Sequence, residues 1–345
     1  MDKGKYISIL EINPIRIELL SGLPVHINRD NHDLVRFKSD YNKRIFRVGK
    51  KEELLDIETY LPLVEAALKN VYRRKPQIFK IIVTGSWGSS NKEILNKYIL
   101  DVIGQLKLDK IYIGIDFLTY EQESYYSYMS LIYTSDYNPE RDSMSIPVHY
   151  DPTGLHFHLD TDKTVISSVK EYKFYDIKTL PTGINSLVDF FMNLTDERLI
   201  ENFNKKDLKD SFELLKLTFI DQLSLLDFSN IEYDFVVFSG ITDVYQGIET
   251  PAQELFLSKE YGREELFESN VLDPLENQLL SLYKKYFING NGKFPHGITI
   301  DFKKYVFCIF LSALDEFFEF NKHTYNNGNT RIGYYHHLLS IIKNP

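Results

Sequence analysis

The run Tyr6–Ile12 (YISILEI) enters Asn13-Pro14-Ile15-Arg16 and continues in a second amphipathic stretch, Ile15–Leu20. Strand, tight turn and strand commit the opening of the chain to a hairpin. The almost wholly apolar Ile78–Val83 then asks for a central position in a sheet covered on both faces. The turn is also informative for what it lacks. A loop that closes around a phosphate needs several backbone N–H groups to converge, which favours Gly and Ser. Pro14 has no N–H, and Ile15 is branched.

Beyond the hairpin, Leu34–Lys38 and Arg44–Val48 read as short strands around the polar turn Ser39–Asn42. A helix follows with Pro62 in its first turn and an apolar face of Leu63, Val64, Ala67, Leu68 and Val71. After Ile78–Val83, Asn91 caps a helix over Lys92–Leu106, in which Ile94, Leu95, Ile99, Val102 and Ile103 recur at the helical period. Lys110–Ile115 is a strand and Glu121–Ile132 a Tyr-rich helix. A second run of strands then opens at Gly154–Asp160, Thr164–Lys170 and Lys173–Ile177. Helices at Ile184–Met192, Lys209–Leu226 and Leu275–Tyr286, a strand at Tyr233–Phe238 and closing helices at Phe302–Phe320 and Ile332–Ile342 complete the order. Hairpin, third strand, helices and strand thus occur twice, which implies two α/β halves of similar plan with a cleft between them.

The 345 residues suffice for two such domains, and 43% apolar with 26% charged content is ordinary for a globular chain. With a net charge of −9 and only short basic clusters (Lys43-Arg44, Arg73-Arg74-Lys75, Lys303-Lys304), a nucleic-acid partner is not expected. The N-terminal residues lack the apolar core of a secretion signal, and the longest apolar run, Tyr305–Leu314, is too short to span a bilayer. One cysteine, Cys308, rules out an intrachain disulfide. The expectation is a soluble cytoplasmic protein without a membrane partner.

Placed in order along the chain, several segments resemble the exopolyphosphatase/guanosine pentaphosphatase (Ppx/GppA) family of the actin-like ATPase superfamily. Glu11-Ile12-Asn13-Pro14-Ile15-Arg16 stands where the family has D-x-G-S-N-S. Ile82–Asn91 is similar to V-A-T-S-A-L-R-E-A-x-N, and Leu118–Ser124 to I-S-G-x-E-E-A. His158–Val165 falls on D-I-G-G-G-S-T-E, followed by the P-x-G of Pro181-Thr182-Gly183. Gly240-Ile241-Thr242 resembles G-G-T, and Asn329–Gly333 resembles G-L-R-E-G. The resemblance implies two lobes of actin-like ATPase (ribonuclease H-like) fold. The expected lobes are 1–120 and 121–330, with a C-terminal helix, 331–345, packing back on the first.

What the family needs for chemistry can be set against these residues. Its members hydrolyse phosphoanhydrides using phosphate loops, Mg²⁺ held by acidic residues and a water-activating glutamate. By resemblance, Glu123 takes the glutamate's place, with Glu121 two residues before it; both also suit the positive end of a helix dipole. Glu11, Asp160, Asp162 and His158 are the candidate metal ligands. Asn13, Arg16, Thr161, Lys163, Gly240 and Thr242 hold the phosphate-loop positions. The second loop opposes the chemistry. Three glycines become Asp160, Thr161 and Asp162, and a carboxylate at about 4 Å from a phosphate charge costs roughly 4 kcal/mol at an effective dielectric near 20. His156, His158 and Asp160 alternate along one strand, an H-x-H-x-D pattern that suits either a transition metal or a polar strand face.

The expectation is a diverged Ppx/GppA-like protein that binds a small phosphorylated ligand or a protein partner in the cleft, with weak or no hydrolysis. An active Mg²⁺-dependent exopolyphosphatase or pppGpp phosphohydrolase is one alternative, and a structural interaction protein another. The family resemblance also implies a homodimer.

Overall fold

The computed structural model describes residues 6–14, 16–29, 32–47, 57–74, 76–89, 92–106, 112–134, 154–160, 163–170, 173–183, 205–226, 235–240, 263, 265, 268–283, 299–318, 330, 331, 333, 334, 337 and 338. The chain divides into two compact units. The first is formed by residues 1–148 with 327–345, the second by 149–326. The division therefore falls after residue 148 rather than 120, and the Tyr-rich helix belongs with the first unit.

In the first unit, β1 (Ile7–Asn13), β2 (Arg16–Arg29), β3 (His32–Arg47), β4 (Ile78–Val83) and β5 (Tyr112–Phe117) form one sheet in the order β3-β2-β1-β4-β5. The β1–β2 and β2–β3 pairs are antiparallel, and β1–β4 and β4–β5 are parallel. β1 is wholly buried because it lies at the sheet's centre, and its alternation feeds two cores. Leu10 and Ile12 join Phe79, Ile81 and Val83 against α1 (Ile57–Arg74) and α3 (Lys92–Gln105), through Tyr60, Val64, Leu68, Leu95 and Ile99. Ile7 and Ile9 join Ile82 and Leu118 on the other face, against Tyr126 of α4 (Tyr120–Thr134) and Tyr334.

The sequence reading misplaced some details. The two short strands expected at 34–48 are one continuous β3. Its polar middle is no turn, because pairing moves from Ser21↔Tyr41 to Leu23↔Lys38 through a bulge that absorbs the extra residue. Pro62 lies inside α1, since the helix starts at Ile57. Ile94 does not join the α3 core and is 54% exposed. Ser86–Ser89 form a single helical turn, α2, between β4 and α3. Asn91 and the helix at 184–192 lie outside the described residues.

The second unit repeats the plan. β6 (Gly154–Leu159), β7 (Thr164–Lys170), β8 (Lys173–Leu180) and β9 (Phe235–Gly240) are ordered β8-β7-β6-β9, with antiparallel β6–β7 and β7–β8 and parallel β6–β9. Its helices are α5 (Lys205–Ser224), α6 (Asp273–Tyr283), entered through a π-turn at Glu268–Leu272, and α7 (Thr299–Phe318). Phe219 of α5 meets Phe310 of α7 edge-on at 5.0 Å, and Phe157 of β6 meets Phe318 at 5.5 Å. Among the described residues no helix is long and apolar enough to cross a membrane.

Candidate functional site

The carboxyl ends of parallel strands are where open α/β sheets present ligand sites. In the first unit those ends belong to β1 and β4, and polar side chains collect there. Glu11, Asn13 and Thr84 are all buried, at 0%, 3% and 0% exposure. They form a directed chain: Asn13 Nδ2 donates to Thr84 Oγ1 at 3.1 Å, and Thr84 Oγ1 donates to Glu11 Oε1 at 3.2 Å. The Tyr60 hydroxyl donates to the Asn13 carbonyl at 2.6 Å, and the Thr84 N–H donates to the Ile12 carbonyl. Thr84 is thereby fixed against β1 through both backbone and side chain.

Glu123 enters from α4. That helix begins with a reciprocal cap. Thr119 Oγ1 accepts from the Gln122 N–H, and Gln122 Oε1 accepts from the Thr119 N–H at 3.0 Å. The cap sets the first turn, on which Glu123 is buried and Glu121 half-buried. Glu123 Oε2 accepts the Gly85 N–H at 2.9 Å. Since Gly85 follows Thr84, one backbone corner links the Glu11 chain to Glu123.

A second set of contacts comes from the C-terminal segment. Arg331 Nε lies 3.4 Å from Glu11 Oε2, and its Nη2 lies 2.8 Å from Glu18 Oε2. The Tyr334 hydroxyl donates to Asp116, which also lies 3.8 Å from Lys80 Nζ. Burial, then the nearby Tyr125 and Asp116, pushes the Tyr126 phenol up to about 12. Sequence reasoning did not single out Glu18, Thr84, Gly85 or Arg331. Signals were present: Thr84 and Gly85 fall within Ile82–Asn91 and Arg331 within Asn329–Gly333, two segments that carry the resemblance, and Glu18 interrupts the apolar Ile17–Leu20 opposite Glu11 in a two-residue hairpin.

In the second unit, His156 and His158 share one face of β6, as their alternation requires. His156 Nε2 and His158 Nδ1 each lie 2.8 Å from Ser239 Oγ on β9. The single hydroxyl proton serves one ring, so the other ring donates its N–H to Ser239. Burial, and secondarily His158, pushes His156 well below the ordinary imidazole range, so it is neutral. At the β6–β7 turn the Asp160 N–H donates to the Lys163 carbonyl, Lys163 being exposed. A ring nitrogen of His158 and a carboxylate oxygen of Asp160 lie within 4.8 Å of each other, a spacing that can admit a metal ion. Gly240 ends β9 opposite Leu159. Thr161, Asp162 and Thr242 lie outside the described residues, and so does the side chain of Arg16, whose backbone pairs with Asn13.

No family model and no curated protein matches this sequence. Solved structures do. The chain is similar to the Ppx/GppA enzyme of Aquifex aeolicus, at 14% identity and a TM-score of 0.56, over 96% of this chain and 98% of that one. It is similar to an exopolyphosphatase from Cytophaga hutchinsonii, at 10% identity and a TM-score of 0.53, over 97% and 98% of the two chains. An exopolyphosphatase-like protein aligns at 10% identity and a TM-score of 0.54, over 98% of this chain and all of that chain.

Proposed function

We propose, on the premise that this chain has the actin-like ATPase fold of the Ppx/GppA structures, that it is a diverged relative of those enzymes. It binds a phosphorylated ligand or a protein partner and hydrolyses phosphoanhydrides weakly or not at all. One observation carries this reading. Glu11, at the position where the family has an acidic metal ligand, is fully buried. Its carboxylate is engaged by Arg331 on one oxygen and Thr84 on the other.

The donor set does not fit Mg²⁺. That ion demands near-octahedral oxygen ligation and keeps several waters. Glu11 is already paired with an internal guanidinium, and His158 offers nitrogen, which suits transition metals better. Pro14 removes a backbone donor from the first turn, and Asp160 places a carboxylate where the family has glycine.

The test is phosphate release from polyphosphate, ATP and pppGpp with Mg²⁺, Mn²⁺ or Zn²⁺ supplied. The expected result is no release above background. Turnover abolished by Glu123→Gln overturns the reading in favour of an active hydrolase, for which the buried Glu123 on its capped helix is the supporting observation. Ligand binding is read separately as a shift in thermal unfolding. A ligand held by the folded state alone at about a hundred times its Kd adds about 2.7 kcal/mol.

A further inference from the structure

α5 has two unlike sides. Leu215, Phe219 and Leu223 are buried, with Phe219 against Phe310 of α7, and Thr182 Oγ1 donates to Gln222 Oε1 at 2.8 Å. These contacts fix the rotation of the helix and turn its other side outward. There Leu214 is 39% exposed and Leu217 53%, and Leu225, in the turn that ends the helix, is 84% exposed. Leu217 follows Leu214 by three residues, and Asp221 and Leu225 continue from Leu217 at steps of four, so they trace one row of the helix surface. The hydroxyls beside this row are turned away from a partner. Thr218 Oγ1 donates to the Leu214 carbonyl at 2.8 Å and Ser224 Oγ to the Asp221 carbonyl at 2.7 Å, so both are engaged by the helix's own backbone.

The charges along this row have one sign. Asp210, Glu213 and Asp221 are exposed, the first two one turn before Leu214 and Leu217 and the third between Leu217 and Leu225. Lys216, the basic residue of the stretch, is 17% exposed and paired with Glu316 of α7. Lys205, Lys206 and Lys209 precede the stretch, with side chains outside the described residues. From residue 210 onward, then, outward leucines are edged by carboxylates. Single surface leucines need no explanation, but a row of them beside charges of one sign selects what can cover it. A second copy docked face to face brings the same carboxylates together, and an anionic lipid surface or a nucleic acid meets them with like charge. A cationic amphipathic helix suits both features. Its apolar residues, at helical spacing, lie on Leu214, Leu217 and Leu225, and its Lys or Arg residues stand beside Asp210, Glu213 and Asp221.

We propose that the outward face of α5 is a docking surface for a basic amphipathic helix of a protein partner. It belongs to the second unit, and none of its residues is among those of the candidate site. The inference therefore goes beyond the proposed function and does not rest on it.

The test uses the full-length protein and, as probe, a labelled peptide of about 18 residues, roughly five helical turns, built from leucine and lysine at the helical period. Its counterpart carries glutamate in place of lysine. Fluorescence anisotropy is expected to show binding of the lysine peptide, weakened by added salt, and none of the glutamate peptide. Leu217→Ser and Asp221→Lys are each expected to weaken binding about tenfold. Both positions are exposed, so the thermal midpoint should stay near that of the wild type. Asp101→Lys, at an exposed position of α3, makes the same change in net charge and should leave binding within about twofold. Equal weakening by Asp101→Lys and Asp221→Lys, or full binding by Leu217→Ser, means that the peptide follows net charge alone and overturns the proposal. No binding of the lysine peptide overturns it as well. So does self-association of the wild type that is lost in Leu217→Ser, read by sedimentation, which gives the face to a second copy. No phosphate compound is present, so the hydrolysis test and this one succeed or fail separately.

Discussion

Gly85 has a φ of 66°, a backbone state that costs an L-residue roughly 1–2 kcal/mol, and from it donates its N–H to Glu123. Gly85→Ala is therefore expected to lower stability by about that amount, read as a lower urea midpoint with an unchanged slope. An equal or higher midpoint means that the corner is not strained for a side chain. Tyr60→Phe removes the buried hydrogen bond to the Asn13 carbonyl while keeping the ring against Trp87, whose centroid is 4.5 Å away. A loss of about 1–2 kcal/mol is expected in the same assay. Single residues were the least legible scale in the sequence. Glu11 and Glu123 were visible as candidates, because a resemblance can align a carboxylate with a carboxylate. That Glu11 faces a buried arginine some 320 residues away is a tertiary fact (the two residues are numbered 11 and 331), and no local pattern encodes it.

At the scale of elements, α4 shows how far local rules reach. Thr119 and Gln122 form the reciprocal cap, so Thr119→Ala should cost about 1 kcal/mol and loosen the first turn that carries Glu123. Faster amide exchange over residues 120–124 is the measurement, and unchanged exchange there counts against the cap. β6 carries a pH consequence. Its His156 is held well below 6.5, so the unfolded chain takes up a proton around that pH while the folded chain does not. Stability is then full above about pH 6.5, falls as pH drops below it, and levels once pH passes the folded value. In EDTA the urea midpoint should fall between pH 7 and pH 5.5, and His156→Gln should flatten that slope. Identical slopes in the two proteins remove His156 as the cause. Most elements were legible because helix and strand periods are local. β3 was not, since a bulge against β2, set by pairing rather than composition, carries its polar middle through the sheet.

Over the whole molecule, two sheets share one scheme: a strand flanked by an antiparallel neighbour on one side and a parallel one on the other, β1 in the first unit and β6 in the second. The repeated order of hairpin, strand and helices in the sequence anticipated it. The division after residue 148 was less legible, because α4 is claimed for the first unit by contacts with residues near 330. Deleting 327–345 should destabilise the first unit and leave the second at its native protection, read by hydrogen exchange resolved by peptide. Equal losses in both units speak against the division. Residues 149–326 lie between the two stretches that build the first unit. On a ribosome adding about 5–20 residues per second, residues 327–345 therefore emerge about 10–40 s after β5, the last strand of the sheet they complete. By the end of that interval the second unit has its whole sequence, while the first still lacks the segment that carries Arg331. The unit that begins first is the one that finishes last.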